Sequence, residues 1–466
     1  MTAAAPPCPR PAPASVLWPA LGLAALGLAN ALLLVWGSAQ GTTGDTARQL
    51  AAVLASTGLG AAALLWIALD SRFARLPLRW VLVLALLLRL VAIQASPLLE
   101  DDHFRYLWDG LRTATGLDPY RLPPSAFFGD PALAPQWQDV LSGINNPDTP
   151  TLYGPVLQGL FALAHLWAPA KVHAIQALLL ALDMTVLALL AHQGVSVRGL
   201  LVYAVHPLVL KEAMASAHPD GLVALLLLLA LLAWQQRRAT VVGAMLGLAV
   251  CAKVAALVAL PMLLLPPRQP AGAAVQQRGA GKGWLLCAMA GFCVTVGVLY
   301  LPFWWVGGSD AAGLATFGGE WRFNPLLYRL IELLVPAPAA RPVAGLLIAA
   351  GIAGLVWRWR DAARTMPGPT LPPLDSALVL LILLSPVVNP WYWLWALALS
   401  LRRGQGWLAA AAVAAPLAHL NSTVLAQTTI TFFGLPDGAY AVVWPALAGQ
   451  LLALGLAWRW RRRLQL

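Results

Sequence analysis

Long apolar runs alternate with short polar segments along almost the whole chain. The clearest runs are residues 15–36, 47–69, 80–95, 172–191, 222–234, 284–306 and 439–458. Because an α-helix rises 1.5 Å per residue, such runs suit the hydrocarbon core of a bilayer, which is about 30 Å thick. The pattern predicts an all-α, polytopic membrane protein with about 10–13 transmembrane helices.

Two further apolar runs, residues 241–265 and 377–401, have basic residues near both ends. Each is about 25 residues long, which is too short for two full crossings although both ends belong on the same side. We therefore expect broken or re-entrant helices, with breaks at Lys253 and around Pro386 and Pro390. Residues 153–167 and 325–335 are interpreted as shorter helices near the exoplasmic surface rather than as spans.

Composition strengthens the membrane interpretation. Hydrophobic residues make up 60% of the 466 residues and charged residues only 11%, which is more apolar than a soluble domain needs. The 30 Lys and Arg residues exceed the 19 acids, but they form no basic stripe with interleaved aromatic residues and instead occupy short loops. We therefore expect membrane lipids as partners and no nucleic acid.

The four cysteines lack the spacing of a zinc site, and we expect neither a bound zinc ion nor a disulfide framework.

The positions of the basic residues predict the topology. Arg72, Arg75 and Arg79 place the loop after the second run in the cytoplasm, and the N-terminus with it. Residues 1–14 are then a disordered cytoplasmic tail, and residues 15–466 form a single transmembrane domain. The long polar loop at residues 96–151 lies on the exoplasmic side. We expect a multi-pass protein of the cell inner (plasma) membrane whose active site faces the periplasm or its equivalent.

Three consecutive acids, Glu100, Asp101 and Asp102, begin this loop directly after an apolar run. Carboxylates crowded at a bilayer surface repel each other and lose hydration, which raises the proton affinity of at least one and suits a general base. At helical spacing Asp102, Arg105 and Asp109 share a face, so Arg105 can steady the carboxylates or bind a phosphate. The alternative is an ordinary solvated helix beside the membrane.

Other polar residues of apolar segments are predicted to reach the same exoplasmic face. They are Lys211, Glu212, His218, Asp220, Lys253, Glu320, Arg322, Asn389 and Tyr392. Charged groups that converge at the ends of spans are typical of a polar pocket. The simpler alternatives are an interfacial ion pair for Lys211 with Glu212, and an aromatic belt for residues 391–395.

Three residues inside apolar runs receive structural interpretations. Asp183 is the one acid in an otherwise clean span, and we expect it to bond to a neighbouring Ser, Thr or His rather than to act in a site. Gly243 and Gly247 have the spacing of a close helix-packing pair.

Several short phrases, in their order along the chain, resemble the GT-C superfamily of membrane glycosyltransferases, and especially the bacterial polyprenyl-phosphate-dependent mannosyltransferases. The phrases are the Asp101-Asp102 pair, residues 105–110, 118–120, 206–212 and 218–221, a Lys at position 253, and residues 385–386 with 390–392. The resemblance covers about residues 80–400. The chain departs from the family pattern at Gly154, His206 and Asn389, which bears on the choice of sugar or acceptor.

The resemblance implies that a mannose-like hexose moves, with inversion, from a polyprenyl-phosphate sugar to a hydroxyl of a lipid or glycan acceptor. It implies Asp101 as general base, with Asp102 orienting the acceptor or sharing this role. The implied phosphate ligands are Arg105, Lys211, Lys253 and Arg322, and His218 and Asp220 would contact sugar hydroxyls. Asp109, Glu212, Asn389 and Tyr392 complete the expected substrate-binding set. The scheme requires no cofactor and no metal, although it is compatible with a divalent ion.

Two alternatives come from other functional classes. Broken helices with a central Lys253 and an intramembrane Asp183 would also suit a secondary transporter, but such proteins usually contain two related halves and none is visible here. A lipid flippase or a scaffold would not need acids clustered on one side. A single cavity surrounded by Asp101, Asp220, Lys253 and Arg322 would favour the transferase.

Overall fold

The computed structural model describes residues 14–39, 45–267, 277–365, 370–420, 444–459 and 461, and this part of the chain is all-helical as predicted. The predicted disordered tail lies outside the described residues except for its last position. The helices up to the first break are α1 (Ala14–Gly37), α2 (Thr46–Leu69), α3 (Leu78–Ala92), α4 (Asp102–Ala114), α5 (Pro135–Ser142), α6 (Pro155–Trp167), α7 (Val172–His192), α8 (Val197–Ala204), a π-helix (Val209–Ala215), α9 (Gly221–Gln235) and α10 (Ala239–Ala252).

The remaining helices follow the break at Lys253. They are α11 (Leu260–Leu263), α12 (Gln277–Trp305), α13 (Ala311–Gly319), α14 (Tyr328–Leu334), α15 (Ala337–Thr365), α16 (Leu374–Leu384), α17 (Trp393–Arg402), α18 (Gly406–Ala412) and α19 (Trp444–Arg459). Short 3₁₀ helices at Ser71–Arg75, Pro124–Phe127, Val254–Ala259, Pro390–Tyr392 and Ala415–Ala418 join some of them.

Five described helices, α1, α2, α7, α12 and α15, are long and apolar enough to cross a membrane. Large apolar side chains on α12 and α15 are exposed, with Leu286 70% and Leu346 71% accessible, as expected of helices that face lipid. The polytopic, all-α membrane fold is therefore confirmed. The number of crossings stays a prediction, because α3 and α9 have only 15 residues each.

One candidate crossing, α15, was missing from the apolar runs identified in the sequence. Its first two turns contain Pro338, Arg341 and Pro342, which interrupt the apolar pattern. Pro338 lies in the first turn, where its missing N–H has no intrahelical partner, whereas Pro342 lies inside the helix, in the second turn.

Both predicted helix breaks are confirmed. The first follows α10, where Lys253 adopts an extended conformation before the 3₁₀ helix begins. The second separates α16 from the 3₁₀ helix at Pro390–Tyr392, and Ser385 is extended there. The freed backbone groups are satisfied by another segment of the chain: the N–H of Phe323 donates to Pro386 O at 3.0 Å, and the N–H of Val388 donates to Phe323 O at 2.8 Å. This pairing brings Arg322 to the second break.

The structural interpretation of Gly243 and Gly247 is confirmed. A Cβ at Gly243 would collide with the carbonyl of Ala288 on α12, and one at Gly247 would press on Thr295. The two glycines therefore allow α10 and α12 to approach backbone to backbone.

The interpretation of Asp183 was wrong in its partners. Its carboxylate accepts a hydrogen bond from Arg89 Nε on α3 at 2.6 Å and another from the Tyr203 hydroxyl on α8 at 2.6 Å. Arg89 is fully buried and also donates to the carbonyl of Ala204 at 2.6 Å. Asp183 on α7 is thus bound to Arg89 on α3, 94 residues away in sequence, and to Tyr203 on α8. These contacts hold the three helices together.

Candidate active site

A cavity of about 470 Å³ opens beside the start of α4 and is closed by both helix breaks. Seven of the predicted site residues line it: Asp101, Asp102, Arg105, Lys253, Arg322, Asn389 and Tyr392. The acids that follow α3 and the two breaks therefore meet in space, as the sequence analysis expected. Five other predicted residues, Asp109, Lys211, Glu212, His218 and Asp220, are buried behind the cavity wall.

The acids are aimed into the cavity by a sharp turn between α3 and α4. Leu99 has φ of 60°, a left-handed conformation that is uncommon for a residue with a side chain. Its N–H donates to Gln49 Oε1 on α2 at 2.8 Å, which holds the turn in place. Since α4 begins at Asp102, both Asp101 and Asp102 lie at its N-terminus, where the helix dipole favours negative charge.

Asn145 connects the two carboxylates. Its side-chain Nδ2 donates a hydrogen bond to Asp101 and another to Asp102 Oδ1 at 3.1 Å. The hydroxyls of Tyr153 and Tyr106 lie 3.4 and 3.5 Å from Asp102 Oδ2. Asp102 is therefore surrounded by more donors than Asp101.

The surroundings change the proton affinity of these acids. Burial, followed by the negative charge of Asp102, raises the pKa of Asp101 to about 6, and the hydrogen bond from Asn145 opposes the rise. Burial also raises the pKa of Glu100 well above its usual range, with Lys211 acting in the opposite direction. A carboxylate with a pKa near neutrality is both ionised at working pH and basic enough to accept a proton.

Lys253 reaches the cavity from the break after α10, and its side chain is only 12% exposed. Its ammonium lies 3.0 Å from a carboxylate oxygen of Asp220 and 5.4 Å from the ring centres of Tyr153 and Tyr392. Asp220 also accepts a hydrogen bond from Trp395 Nε1 at 2.6 Å. Asp220, which directly precedes α9, is therefore the counter-ion of Lys253, and it lies behind the cavity wall as part of this pair.

Two arginines bring further positive charge to the cavity. Arg105 donates through Nη2 to the carbonyls of Thr149, at 2.8 Å, and Asn146, at 3.2 Å. Its Nη1 is buried and has no hydrogen-bond partner among the described residues. Arg322 is 34% exposed and forms an ion pair with Glu332 at 3.1 Å. Arg105 is thus the cavity cation with an unused buried donor.

Asp109 lies about two helical turns beyond Asp102 on α4, where it is buried in the protein and does not line the cavity. Its carboxylate accepts hydrogen bonds from the Thr151 hydroxyl at 2.5 Å and from Gln158 Nε2 at 3.1 Å, and burial raises its pKa. These contacts join α4 to α6 and to the loop before it. Of the two acids predicted to share a face of α4, Asp102 therefore lines the cavity and Asp109 lies in the protein interior.

Lys211 and Glu212 lie in the π-helix and are almost fully buried, so they are not an interfacial pair. The ammonium of Lys211 is 2.9 Å from Glu212, 2.8 Å from His419 and 3.4 Å from Glu100. Glu100 and His419 line the cavity, and the cluster therefore forms a charged floor beneath it.

The donor atoms of Glu100, Glu212 and His419 lie within 4.8 Å of one another, a spacing that a metal ion could use. The ammonium of Lys211 is within 3.4 Å of all three residues. A metal at this position would compete with Lys211 for the same ligands, so the cluster fits its own lysine better than a divalent ion.

His218 connects the cluster with the acids. One ring nitrogen, Nδ1, is 3.0 Å from the Tyr106 hydroxyl, and the ring stacks on Trp391 with centres 3.6 Å apart. Its Nε2 is 3.8 Å from Glu212. His218 is fully buried, and it contacts the cavity wall through Trp391 and the neighbourhood of Asp102 through Tyr106.

The aromatic-belt interpretation of residues 391–395 was wrong. Trp391, Tyr392, Trp393 and Trp395 are all buried, at most 8% exposed, so their rings are not at a lipid interface. Trp391 and Tyr392 line the cavity, and Asn389 donates to the Tyr392 hydroxyl at 3.3 Å. The break before α17 turns these rings inward.

Some residues of the site were not singled out from the sequence. Asn145 belongs to a polar stretch, residues 145–149, which is a usable signal in a loop that carries acids. His419 follows an alanine-rich apolar run, and a lone histidine in such a run was a second signal. Tyr106 lies in the phrase at residues 105–110 and Tyr153 directly precedes Gly154, but neither was singled out, because aromatic residues are common beside membranes.

Comparison with known proteins gives a consistent result. The family model described as "Alpha-(1->6)-mannopyranosyltransferase, N-terminal domain" matches residues 13–267, more than half of the chain. The chain is also 25% identical, over 464 aligned residues, to alpha-(1->6)-mannopyranosyltransferase A of Mycobacterium tuberculosis. That alignment covers 88% of this chain and 81% of the relative. No solved structure gives a significant match.

Proposed function

Because the chain belongs to the alpha-(1->6)-mannopyranosyltransferase family, we propose that this membrane glycosyltransferase moves mannose from a polyprenyl-phosphate donor to an acceptor hydroxyl. The observation that carries the proposal is one cavity in which the paired carboxylates of Asp101 and Asp102 face the cations Arg105, Lys253 and Arg322. A sugar phosphate needs both: a base for the incoming hydroxyl and positive charge for the departing phosphate.

Asp101 is the general base of this scheme. Its carboxylate removes the proton from the acceptor hydroxyl while that oxygen attacks the anomeric carbon and the bond to the phosphate breaks. Attack from the side opposite the phosphate inverts the anomeric carbon. A pKa of about 6 supports this role, because the group is mostly ionised near neutral pH. Asp102, fixed by Asn145 and two tyrosine hydroxyls, orients the acceptor.

The departing phosphate is assigned to the cationic side of the cavity. The unused Nη1 of Arg105 is a buried donor without a described partner, and a phosphate oxygen would satisfy it. Arg322 is exposed enough to exchange Glu332 for a ligand. Lys253 contributes charge at close range while remaining paired with Asp220. Of the three cations, Arg105 is therefore the main proposed ligand of the departing phosphate.

The name of the Mycobacterium relative suggests the linkage. An alpha-(1->6)-mannopyranosyl transfer places the new bond on an oxygen at position 6 of the acceptor. We propose the same linkage here, with a mannose-containing lipid or glycan as acceptor. A primary hydroxyl on a flexible arm can reach a base at the cavity edge without the whole sugar ring entering.

Product analysis tests this function directly. Purified protein incubated with polyprenyl-phosphate [¹³C]mannose and a short mannoside acceptor is expected to form an elongated mannoside joined through position 6. Mass spectrometry and NMR of the product would identify sugar, linkage and anomeric configuration. Failure to transfer from the lipid donor, together with transfer from a nucleotide sugar, would contradict the proposed donor.

The proposed donor is a lipid, which leads us to place the cavity on the exoplasmic side of the cell membrane. Ala126→Cys, in the loop beside the cavity, and Arg75→Cys, between α2 and α3, are both exposed positions. In a background without the four native cysteines, an impermeant maleimide applied to intact cells is expected to label position 126 and not position 75. Permeabilised cells serve as the control, and labelling of position 75 alone would reverse the proposed orientation.

A further inference from the structure

A second, larger cavity of about 1100 Å³ lies at the other end of the helices that form the active site. The chain breaks before α17 at the active site, and α17 then runs 10 residues, about 15 Å, to Arg402 at the second cavity. The lining of the second cavity follows α16 from Ser376, near its N-terminus, to Leu383, near the end that leads to the active site. The part lined by Arg402 and Arg403 is therefore separated from the active site by the length of α17, whereas the leucine side runs along α16 towards it.

The polar part of the second cavity is strongly basic. Arg358, Arg402, Arg403 and Arg461 line it, and the described residues of its lining include no acid. Arg403 is neutralised by Asp375, which lies just outside the lining. Among the described residues, the other three guanidinium groups are in no ion pair, and Arg402 Nε donates only to the neutral side chain of Gln193 at 2.7 Å. A net positive charge of about three is left at the opening.

The rest of the lining is apolar and aromatic. Leu355, Leu380 and Leu383 come from the facing sides of α15 and α16, and Trp407 and Trp458 form one wall with ring centres 5.2 Å apart. Trp458 is 53% exposed. Tryptophan beside arginine at the end of apolar helices is typical of the level where lipid head groups meet hydrocarbon.

From this combination we infer that the second cavity binds an anionic phospholipid of the surrounding bilayer. The arginines would hold the phosphate, and an acyl chain would lie along the leucine side. A soluble phosphate would use only the basic opening, whereas a neutral lipid would use only the apolar part. An anionic lipid fits both, and its recognition does not depend on the transferase reaction proposed above.

Lipid titration of the purified protein tests this inference. Dioleoyl phosphatidylglycerol, dioleoyl phosphatidylcholine and inorganic phosphate would each be added to the detergent-solubilised protein, with binding followed by native mass spectrometry. We expect phosphatidylglycerol to bind about tenfold or more tightly than phosphatidylcholine, and inorganic phosphate to compete weakly. Equal binding of the two lipids, or equal competition by phosphate, would overturn the inference.

A matched pair of double variants locates the site. Arg358→Gln with Arg402→Gln removes two charges from the lining and is expected to weaken phosphatidylglycerol binding about 10- to 30-fold. Arg75→Gln with Arg364→Gln removes two exposed charges outside the lining and should leave binding within about twofold. Equal losses in both would mean general charge attraction and would refute the site. If the double variant unfolds, phosphatidylglycerol binding is measured with Arg358→Gln alone, which alters an exposed side chain and should also weaken binding.

Discussion

Replacing Asp101 by Asn is expected to lower mannosyl transfer by about 100-fold or more while the protein stays folded. Asparagine has nearly the shape of aspartate and can still pair with Asn145, but it cannot accept the proton of the acceptor hydroxyl. Turnover with saturating donor and acceptor would measure the effect. Asp139→Asn, at an exposed acid of the same loop, is the matched control and should keep the normal rate.

The pH profile distinguishes the two candidate bases. With Asp101 as base, kcat/KM should rise tenfold per pH unit below its pKa of about 6 and level off above it. Asp102→Asn removes the second largest cause of the raised pKa, so in that variant the acidic limb should move to lower pH. Near-normal rates in both single Asn variants would exclude the pair from catalysis, and an unshifted limb in Asp102→Asn would make Asp101 the wrong choice.

Lys253→Met is expected to destabilise the protein strongly, which differs from what an isolated lysine in an apolar run would imply. The ammonium is paired at 3.0 Å with Asp220, whose side chain is fully buried. Removing one partner of a buried pair leaves the other charge uncompensated, at a cost of about 3–5 kcal/mol. Thermal unfolding in detergent would measure the loss, with exposed Lys171→Met as the control for the substitution itself.

The double variant Lys253→Met with Asp220→Asn separates stability from function. It removes both charges and should recover most of the lost stability. If Lys253 also helps to hold the lipid phosphate, the folded double variant should bind a polyprenyl-phosphate sugar at least about tenfold more weakly than wild type. Normal donor affinity in the double variant would confine Lys253 to a structural role. No recovery of stability would contradict the pairing itself.

Local patterns in the sequence were enough to predict the lipid environment and the positions of the helix breaks. Apolar runs identify lipid as the surrounding medium because each helix satisfies its own backbone groups, so hydropathy marked the candidate spans α1, α2, α7 and α12, although it missed α15. The breaks at Lys253 and Pro386 were visible for the same reason: a lysine or a proline inside an apolar run requires a special environment. The acids after α3 were equally visible, as three neighbouring carboxylates.

Partners far apart in sequence were decided only by the tertiary structure. Asp220 contacts Lys253, which is 33 residues away in sequence, and Trp395, which is 175 residues away. Both contacts result from how the helices pack. The same packing draws Lys211 inward onto His419, 208 residues away, instead of leaving it at the surface.

The sequence by itself therefore determined that this is a helical membrane protein with acids at one end and two broken helices. Which charges share the cavity was decided by the fold, because a charge deep in the protein is stable only beside a partner that packing brings to it. A hydrogen bond holds Asp109, and an ion pair holds Asp220, behind the cavity wall. Asp101, Asp102 and Arg105 line the cavity. Hydropathy is a property of each segment, whereas these pairings belong to the assembled bundle.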